Sequence, residues 1–171
     1  VNQPFVLWDP TKILENIYSC AIFIEGELVG RVESEILKED ERLEMFRNGD
    51  IPYKNMLLYL SKVDIKPKFR GMGLCKPLLA FMIKNLKTLG YEMLYIDNAS
   101  STERGVPACL CYYKSGIDSG YKMRYSDGKL LKKMSQQDCF KHKIPRSYFY
   151  MDESIYKRGI NKIRTKVISK I

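Results

Sequence analysis

The stretch VDIKPKFRGMGLC (residues 63–75) joins a run of β-forming residues to a segment with helical spacing. Apolar residues recur every three or four positions over 74–89, which predicts a helix that ends at Gly90. A glycine-containing turn between a strand and a helix presents several backbone N–H groups together at the positive end of the helix. The stretch therefore predicts an anion site, in which Gly71 and Gly73 let a ligand approach the backbone without a Cβ in the way.

Two common phosphate-binding patterns do not fit this turn. The dinucleotide fingerprint G-x-G-x-x-G would need a glycine where the chain has Lys76, and the Walker A pattern is also absent. Taken alone, the two glycines are equally typical of an ordinary strand-to-helix turn. The surrounding sequence has to decide between the two interpretations.

The segments on either side of the turn predict a mixed sheet with helices on it. The predicted order is a short helix, a β-hairpin, a charged helix, a strand, a helix, a short strand, a helix and a final hairpin. These elements cover residues 10–17, 20–24 with 28–36, 38–48, 56–65, 74–89, 93–97, 107–115, and 121–126 with 129–134. This order sets one βαβα unit between antiparallel strands, so the predicted fold class is α/β (α+β), with a mixed, mostly antiparallel sheet and flanking helices.

Three details of these predictions matter for the site. Thr11 is the predicted cap of the first helix, and Gly116 is the predicted end of the helix over 107–115. In the strand over 56–65, simple alternation predicts that four side chains share a face. They are Tyr59, Ser61, Val63 and Ile65.

Length and composition limit the class of protein. With 171 residues, of which 45% are hydrophobic, the chain suffices for a single domain with one core. No apolar run approaches the roughly 20 residues of a bilayer span, so no transmembrane segment is predicted. The first residues also lack a basic segment followed by an apolar one, so no secretory signal is predicted. The resulting expectation is a cytoplasmic, intracellular protein.

The five cysteines lack the spacing of a metal site. They are Cys20, Cys75, Cys109, Cys111 and Cys139. The pair at 109 and 111 is too close for the usual two-residue knuckle, and the chain has one histidine. We therefore expect no metal, and we expect reduced thiols that are mostly buried as small hydrophobic side chains.

The net charge of +9 is concentrated in residues 139–171. This segment holds nine Lys or Arg and two acids, a charge of +7, which leaves +2 for the other 138 residues. The sequence thus predicts a near-neutral domain with a basic end rather than a generally basic protein. The basic segment has an apolar face at helical spacing. A helix docked on its own domain, a site for an acidic partner such as nucleic acid, a membrane-surface helix and a disordered end all remain open.

The residues around the turn resemble the GNAT family of N-acetyltransferases. Residues 63–74 are similar to its signature, in which a strand leads to Pro-x-aromatic and then to Arg/Gln-x-x-Gly-x-Gly/Ala. About 40 residues later, ACLCYYKSGI over 108–117 is similar to the family's Ala-x-x-x-Tyr-x-x-x-Gly-Phe segment. Two positions depart from the pattern: Cys75 replaces Gly or Ala, and Gly105 replaces a frequent Asn.

The resemblance implies a fold, a domain division and a reaction. It covers about residues 56–125 and implies a GNAT acyltransferase core over 1–138, with a basic C-terminal extension over 139–171 packed on the same domain. The implied activity moves an acetyl group from acetyl-CoA to a primary amine by direct attack in a ternary complex. The amine acceptor could be a small molecule, a peptide or a protein, and no metal takes part.

The resemblance also implies a set of cofactor-binding residues. The backbone of Val63 and Ile65 would pair with the pantetheine arm, with one of their N–H groups facing the thioester oxygen. The N–H groups of the turn would hold the pyrophosphate. The side chain of Lys76 or Arg70 could also reach a phosphate, and either could equally be solvated. The turn residues in this set are Arg70, Gly71, Met72, Gly73, Leu74 and Cys75.

Acetyl transfer needs one proton to reach the leaving thiolate and another to leave the amine. Tyr112 holds the family's tyrosine position and is the candidate general acid, with a core aromatic as the alternative. The candidate bases are Glu33 and Glu35 on the polar face of the second hairpin strand, with Asp97 at a strand end as another. Each of these acids could equally be a solvated surface residue, with a chain of water molecules as the base.

A second class of function is consistent with the same residues. A GNAT-shaped module could bind CoA, or an acidic partner through residues 139–171, without turnover. Gly105 and the lack of a decisive base leave this alternative open. Turnover with acetyl-CoA and an amine would distinguish the two classes.

Overall fold

The computed structural model of this protein describes residues 3–97, 109–125, 129–130 and 148–152. The described strands are β1 (Phe5–Asp9), β2 (Ile17–Ile24), β3 (Glu27–Ile36), β4 (Leu58–Ile65), β5 (Met93–Asp97), β6 (Lys122–Tyr125) and β7 (Tyr148–Asp152). The α-helices are α1 (Glu39–Arg47), α2 (Cys75–Thr88) and α3 (Cys109–Asp118), and short 3-10 helices cover Pro10–Glu15 and Pro67–Phe69. No helix in these ranges is long and apolar enough to span a bilayer.

The strands form one mixed sheet in the order β1-β2-β3-β4-β5-β7-β6. β4 and β5 are parallel, whereas the five other neighbouring pairs are antiparallel. A parallel pair needs a crossover connection, and α2 supplies it. The predicted fold class and the βαβα unit, β4-α2-β5-α3, are therefore confirmed.

The sheet is covered on both faces. The apolar side of α2 is buried against β1, β2 and β3 through Leu78, Leu79, Met82, Ile83 and Leu86. A second buried cluster lies on the opposite face, where Met93 and Tyr95 of β5 pack with Ile51 and Met56. Side chains alternate across a strand, so Leu94 and Ile96 of β5 join the α2 cluster instead.

A β-bulge in β4 changes the predicted faces of that strand. β4 has one residue more than the part of β3 with which it pairs, and the extra residue is Ser61. Before the bulge, Tyr59 packs against the second cluster, whereas Val63 and Ile65 after it pack against the α2 cluster. The prediction that these residues share a face is therefore wrong, because one extra residue shifts the two-residue period.

Two helix boundaries also differ from the prediction. The first helix is a 3-10 helix whose cap is Asp9 rather than Thr11, because the Asp9 carboxylate accepts the Thr11 N–H at 3.0 Å. α3 continues past Gly116 to Asp118. The chain turns away from the helix at Gly120, which has the left-handed φ of 83° that the predicted stop at Gly116 would have needed.

Two strands were not predicted from the sequence. β1 pairs with β2 at one edge of the sheet, and β7, from within the segment 139–171, inserts between β5 and β6. Of the predicted final hairpin, β6 and a bridge between Arg124 and Leu130 are described. Most of its second strand and the polar stretch after Asp97 lie outside the described residues.

Candidate functional site

The described pairing between β4 and β5 ends at the bulge. In the described ranges the ladder between these strands consists of Tyr59↔Tyr95 and Leu60↔Ile96, whereas β4 stays paired with β3 as far as Ile65. Residues 61–65 thus have a described strand neighbour on the β3 side and none described on the β5 side. This half of β4 presents a strand edge next to the turn.

The backbone of Val63 and Ile65 points to this edge. The N–H of Lys66 donates to the carbonyl of Val29 on β3 at 2.8 Å. Backbone groups of successive residues in a strand point to opposite edges, so Asp64 also faces β3. The N–H and C=O groups of Val63 and Ile65 therefore point away from β3, where an extended chain could pair with them as an added strand.

Arg70 and two glycines set the shape of the turn before α2. The Arg70 Nε donates to the carbonyl of Ile65 at 2.8 Å, which folds the chain back on the end of β4. Gly71 and Gly73 have φ values of 81° and 75°, which disfavour any side chain with a Cβ. A Cβ at either glycine would meet no atom within 4 Å, so the space in front of this backbone is open.

Backbone donors collect at the N-terminus of α2. Within the described part of the chain, no N–H from Gly71 to Cys75 donates to a protein acceptor, and the cap residue Leu74 provides no side-chain bond. The Leu74 side chain is buried in the core, which fixes the turn, while Met72 and Lys76 are exposed. Available donors at a positive helix end, with open access, fit a pyrophosphate.

A disulfide joins the start of α2 to the start of α3. Cys75 and Cys111 are bonded, with their Cα atoms 6.3 Å apart. The prediction of reduced thiols is wrong for this pair, because the sequence did not reveal that the two helix starts lie side by side. Cys20 is a buried free thiol whose pKa is raised to about 12 by burial. The side chain of Cys109 and all of Cys139 lie outside the described residues.

Tyr112 follows Cys111 and lies on the side of α3 that faces the core. Its side chain is 4% exposed and belongs to the α2 cluster. One turn further along α3, the Ser115 hydroxyl donates to the carbonyl of Lys76 at 3.4 Å, so α3 runs beside the first turn of α2. This position is consistent both with a core aromatic and with a catalytic acid near the turn.

The two candidate bases have different surroundings. Glu33 is 6% exposed, and the Nζ of Lys12 lies 3.0–3.1 Å from both of its carboxylate oxygens, with that of Lys62 at 4.0 Å. The Ser61 hydroxyl donates to the Glu33 carbonyl at 3.2 Å, so Glu33 lies at the bulge. Glu35 is half-buried further along β3. Glu33 is therefore not a solvated surface acid.

A second ion pair, between Arg31 of β3 and Asp9 of β1, lies next to the first. The Arg31 guanidinium donates to Asp9 at 2.7 Å and to the Ser19 hydroxyl at 2.9 Å. Hydrogen bonds from the side chain of Thr11 and then from Arg31 lower the pKa of Asp9 to about 2. Asp9 therefore connects β1, and the 3-10 helix that carries Lys12, to β3.

Lys12 and Lys62, the cations next to Glu33, are functional candidates that were not predicted from the sequence. Lys12 lies 21 residues before Glu33, and no local pattern connects the two. Lys62 faces Glu33 across the β3–β4 pair, which becomes evident once the register and the bulge are known. The side chain of Asp97, the third candidate base, lies outside the described residues. Among the side chains that are described, no group of His, Cys, Asp and Glu could hold a metal ion.

Comparisons with known proteins identify the family. Residues 3–116 match the model of the acetyltransferase (GNAT) family. No curated protein sequence matches the chain. Among solved structures, the fold is similar to that of a Bacillus subtilis acetyltransferase in complex with CoA, at 14% identity over 89% of this chain and 99% of the other, with a TM-score of 0.50.

Two further solved structures are similar at lower scores. The ribosomal-protein-S18-alanine N-acetyltransferase from Escherichia coli is 12% identical over 88% of this chain and 93% of its own, with a TM-score of 0.47. A GNAT family acetyltransferase from Elizabethkingia anophelis with acetyl-CoA bound is 13% identical over 88% and 97%, also at 0.47. The family match contains β4, the glycine turn, α2 and α3 as far as Gly116, and on this match the chain belongs to the GNAT acetyltransferase family.

Proposed function

We propose that this protein transfers the acetyl group of acetyl-CoA to a primary amine, by direct attack of the amine on the thioester while both substrates are bound. One observation carries the proposal: in the described part of the chain, β4 has no β5 partner beyond the bulge and runs into a glycine turn at the N-terminus of α2. A phosphate-bearing acyl carrier needs these two features side by side, a strand edge for its arm and an anion site for its phosphates. Membership of the GNAT family, and the CoA in the similar Bacillus subtilis structure, support the same donor.

In the proposed complex, the N–H groups from Gly71 to Cys75 hold the pyrophosphate. Lys76, exposed in the first turn of α2, would add a positive charge. Arg70 has a different role, because its Nε already donates to the Ile65 carbonyl and thereby shapes the turn.

The arm of the carrier would run toward the bulge along the edge of β4 that has no strand neighbour among the described residues. Val63 offers both its N–H and its C=O, whereas Ile65 offers its N–H because Arg70 occupies its carbonyl. Ile65 lies four positions after Ser61, a distance of roughly 13 Å along the strand at about 3.3 Å per residue. Bound acetyl-CoA supplies an activated acetyl group, and this path brings that group to the bulge, beside Glu33.

The chain's own residues then move the protons. Glu33 is favoured over Glu35 as the base because it lies at the bulge, where its carboxylate can orient an incoming ammonium. Tyr112 is the proposed acid that protonates the thiolate. The N–H of Val63 or Ile65 would donate to the thioester oxygen, which stabilises the negative charge that develops there.

The acceptor is proposed only as a primary amine, carried by a small molecule, a peptide or a protein. An acidic partner such as nucleic acid, bound by the basic segment 139–171, stays a prediction, since most of that segment lies outside the described residues. The cytoplasmic location stays a prediction as well.

A thiol-release assay with acetyl-CoA and a panel of amines, run beside calorimetry with CoA, tests the proposal. Binding of CoA together with amine-dependent thiol release is the expected result. Binding without turnover of any amine would instead support a CoA-binding module without catalysis. Absence of CoA binding would overturn the assignment of the turn itself.

A further inference from the structure

Lys12 holds a primary amine against the candidate base of the proposed reaction. Its Nζ lies 3.1 Å from Oε1 and 3.0 Å from Oε2 of Glu33, so one ammonium spans both oxygens of a buried carboxylate. The Lys12 side chain is 36% exposed, so it is neither sealed in the core nor fully solvated. An amine therefore already lies where the proposed reaction needs one.

Local bonds fix the backbone that carries Lys12. The 3-10 helix begins at the Asp9 cap and ends where the N–H of Asn16 donates to the Ile13 carbonyl at 3.0 Å. Arg31 ties the Asp9 carboxylate to β3 at 2.7 Å. Because this 3-10 helix is held at both ends, the Lys12 amine can take fewer positions, which favours its attack on an acyl group bound nearby.

The acetyl group of a bound donor would arrive at the same place. Ser61, the bulged residue, donates to the Glu33 carbonyl at 3.2 Å, and the β4–β5 ladder ends at Leu60. A carrier arm that follows residues 61–65 from the turn therefore brings its acyl end beside Glu33. Lys12 reaches Glu33 from the 3-10 helix between β1 and β2.

We propose that, in the absence of an acceptor, the protein acetylates its own Lys12, an inference that rests on the proposed function. The neutral amine attacks the carbonyl carbon of the thioester, so that the N–C bond forms and the C–S bond breaks. Of the two protons that the ammonium loses, one ends on the CoA thiolate and the other passes by way of Glu33 to solvent. The acetylated Lys12 is neutral, which leaves Lys62 as the neighbouring cation of Glu33.

The test compares labelling by acetyl-CoA with labelling by acetic anhydride on the full chain, with site-resolved peptide mass spectrometry. The anhydride labels by exposure, so it should favour Lys62 and Lys68, whose side chains are 49% and 67% exposed, over Lys12 at 36%. Acetyl-CoA should reverse this order, with early occupancy of Lys12 at least about tenfold above that of Lys62. The first-order rate constant should not change on dilution of the protein, because the reaction is intramolecular.

Three outcomes would overturn the inference: the same order of labelling with both reagents, a rate constant that falls in proportion to dilution, or an unlabelled Lys12. Thiol release with added amines, measured on the same preparation, separates the two proposals. Amine turnover with an unlabelled Lys12 contradicts self-acetylation alone. Absence of both contradicts the proposed function as well. Lys12→Arg keeps the positive charge and should abolish thiol release in the absence of an acceptor.

Discussion

The part of β4 beyond its bulge is built differently at its two ends. The turn end, near Ile65, is the proposed donor end, and the bulge end, near Ser61, is the proposed acceptor end. At the turn end, glycine backbone, a helix N-terminus and the Cys75–Cys111 disulfide set the geometry. At the bulge end, Lys12 from the 3-10 helix after β1 and Lys62 from β4 converge on Glu33 of β3. Backbone donors and a covalent bond offer little net charge for salt to screen, whereas partly exposed ion pairs weaken as the ionic strength rises. The donor end should therefore be less sensitive to salt than the acceptor end.

The disulfide should give the largest effect on the donor end. It closes a separation of 36 residues, for which a loss of about 2–4 kcal/mol in the free energy of unfolding is typical when the bond is removed. The double variant Cys75→Ser, Cys111→Ser should therefore melt well below the wild type. Thermal unfolding with and without a dithiol reductant measures this change.

The double variant is also the control for the effect of the reductant. Reductant should lower the melting temperature of the wild type and leave that of the variant unchanged. Equal responses of the two proteins to reductant would show that the bond does not hold these helix starts together in solution.

A matched pair of glycines tests whether the turn binds CoA. Gly73 and Gly49 have φ values of 75° and 76°, and a Cβ at either would meet nothing within 4 Å. Valine at each position should therefore cost similar stability, about 1–2 kcal/mol for a residue forced into the left-handed region. Gly73→Val alone should also weaken CoA binding, by about thirtyfold or roughly 2 kcal/mol, because the side chain fills the approach to the amides.

Calorimetric titration of CoA into both variants checks this prediction. Gly49 ends the turn after α1, away from the glycine turn before α2. Equal losses of affinity in the two variants would mean that strain, rather than contact with the phosphates, is being measured.

The difference between the two ends also explains what the sequence could predict. The strand, the glycines and the helical spacing after them lie within one stretch, so the strand, turn and helix of the proposed donor end could be predicted from residues 63–89. The bulge at Ser61 has no local signal, and one extra residue was enough to make the predicted faces wrong. The ion pair between Lys12 and Glu33, and the bond between Cys75 and Cys111, join residues that the fold alone brings together.

A tyrosine pair tests the proposed acid. Tyr112 is buried in the α2 cluster, and its neighbour Tyr113 is partly buried against the same cluster. Tyr112→Phe should lower kcat about tenfold, roughly 1.4 kcal/mol, and leave CoA affinity nearly unchanged, because the proposed role of the hydroxyl is to protonate the leaving thiolate. Tyr113→Phe should stay near the wild type.

Steady-state kinetics and CoA titration of both tyrosine variants separate catalysis from packing. A kcat of Tyr112→Phe within about twofold of the wild type would rule out the acid role. A parallel fall in both variants would point to a general loosening of α3.

The smallest expected effect concerns Asp9, at the acceptor end. Its pKa is lowered from 3.8 to about 2 by bonds from Thr11 and Arg31, so the folded protein favours the charged form. The stabilisation is therefore fully present above about pH 4 and is lost as the pH falls toward 2. Because the carboxylate is partly exposed, we expect Asp9→Asn to cost about 1 kcal/mol at neutral pH and close to nothing near pH 2.

Denaturant unfolding of Asp9→Asn at several pH values measures this convergence, with the exposed Glu15→Gln as a control for the loss of one charge.

The Asp9→Asn variant also tests the independence of the two ends. Asp9 holds the 3-10 helix that carries Lys12, so its loss should slow acetylation of Lys12. It touches neither the glycine turn nor the disulfide, so CoA affinity should not change. A parallel loss of CoA affinity would mean that the two ends of β4 are coupled through the sheet, and that the donor site depends on the ion pairs after all.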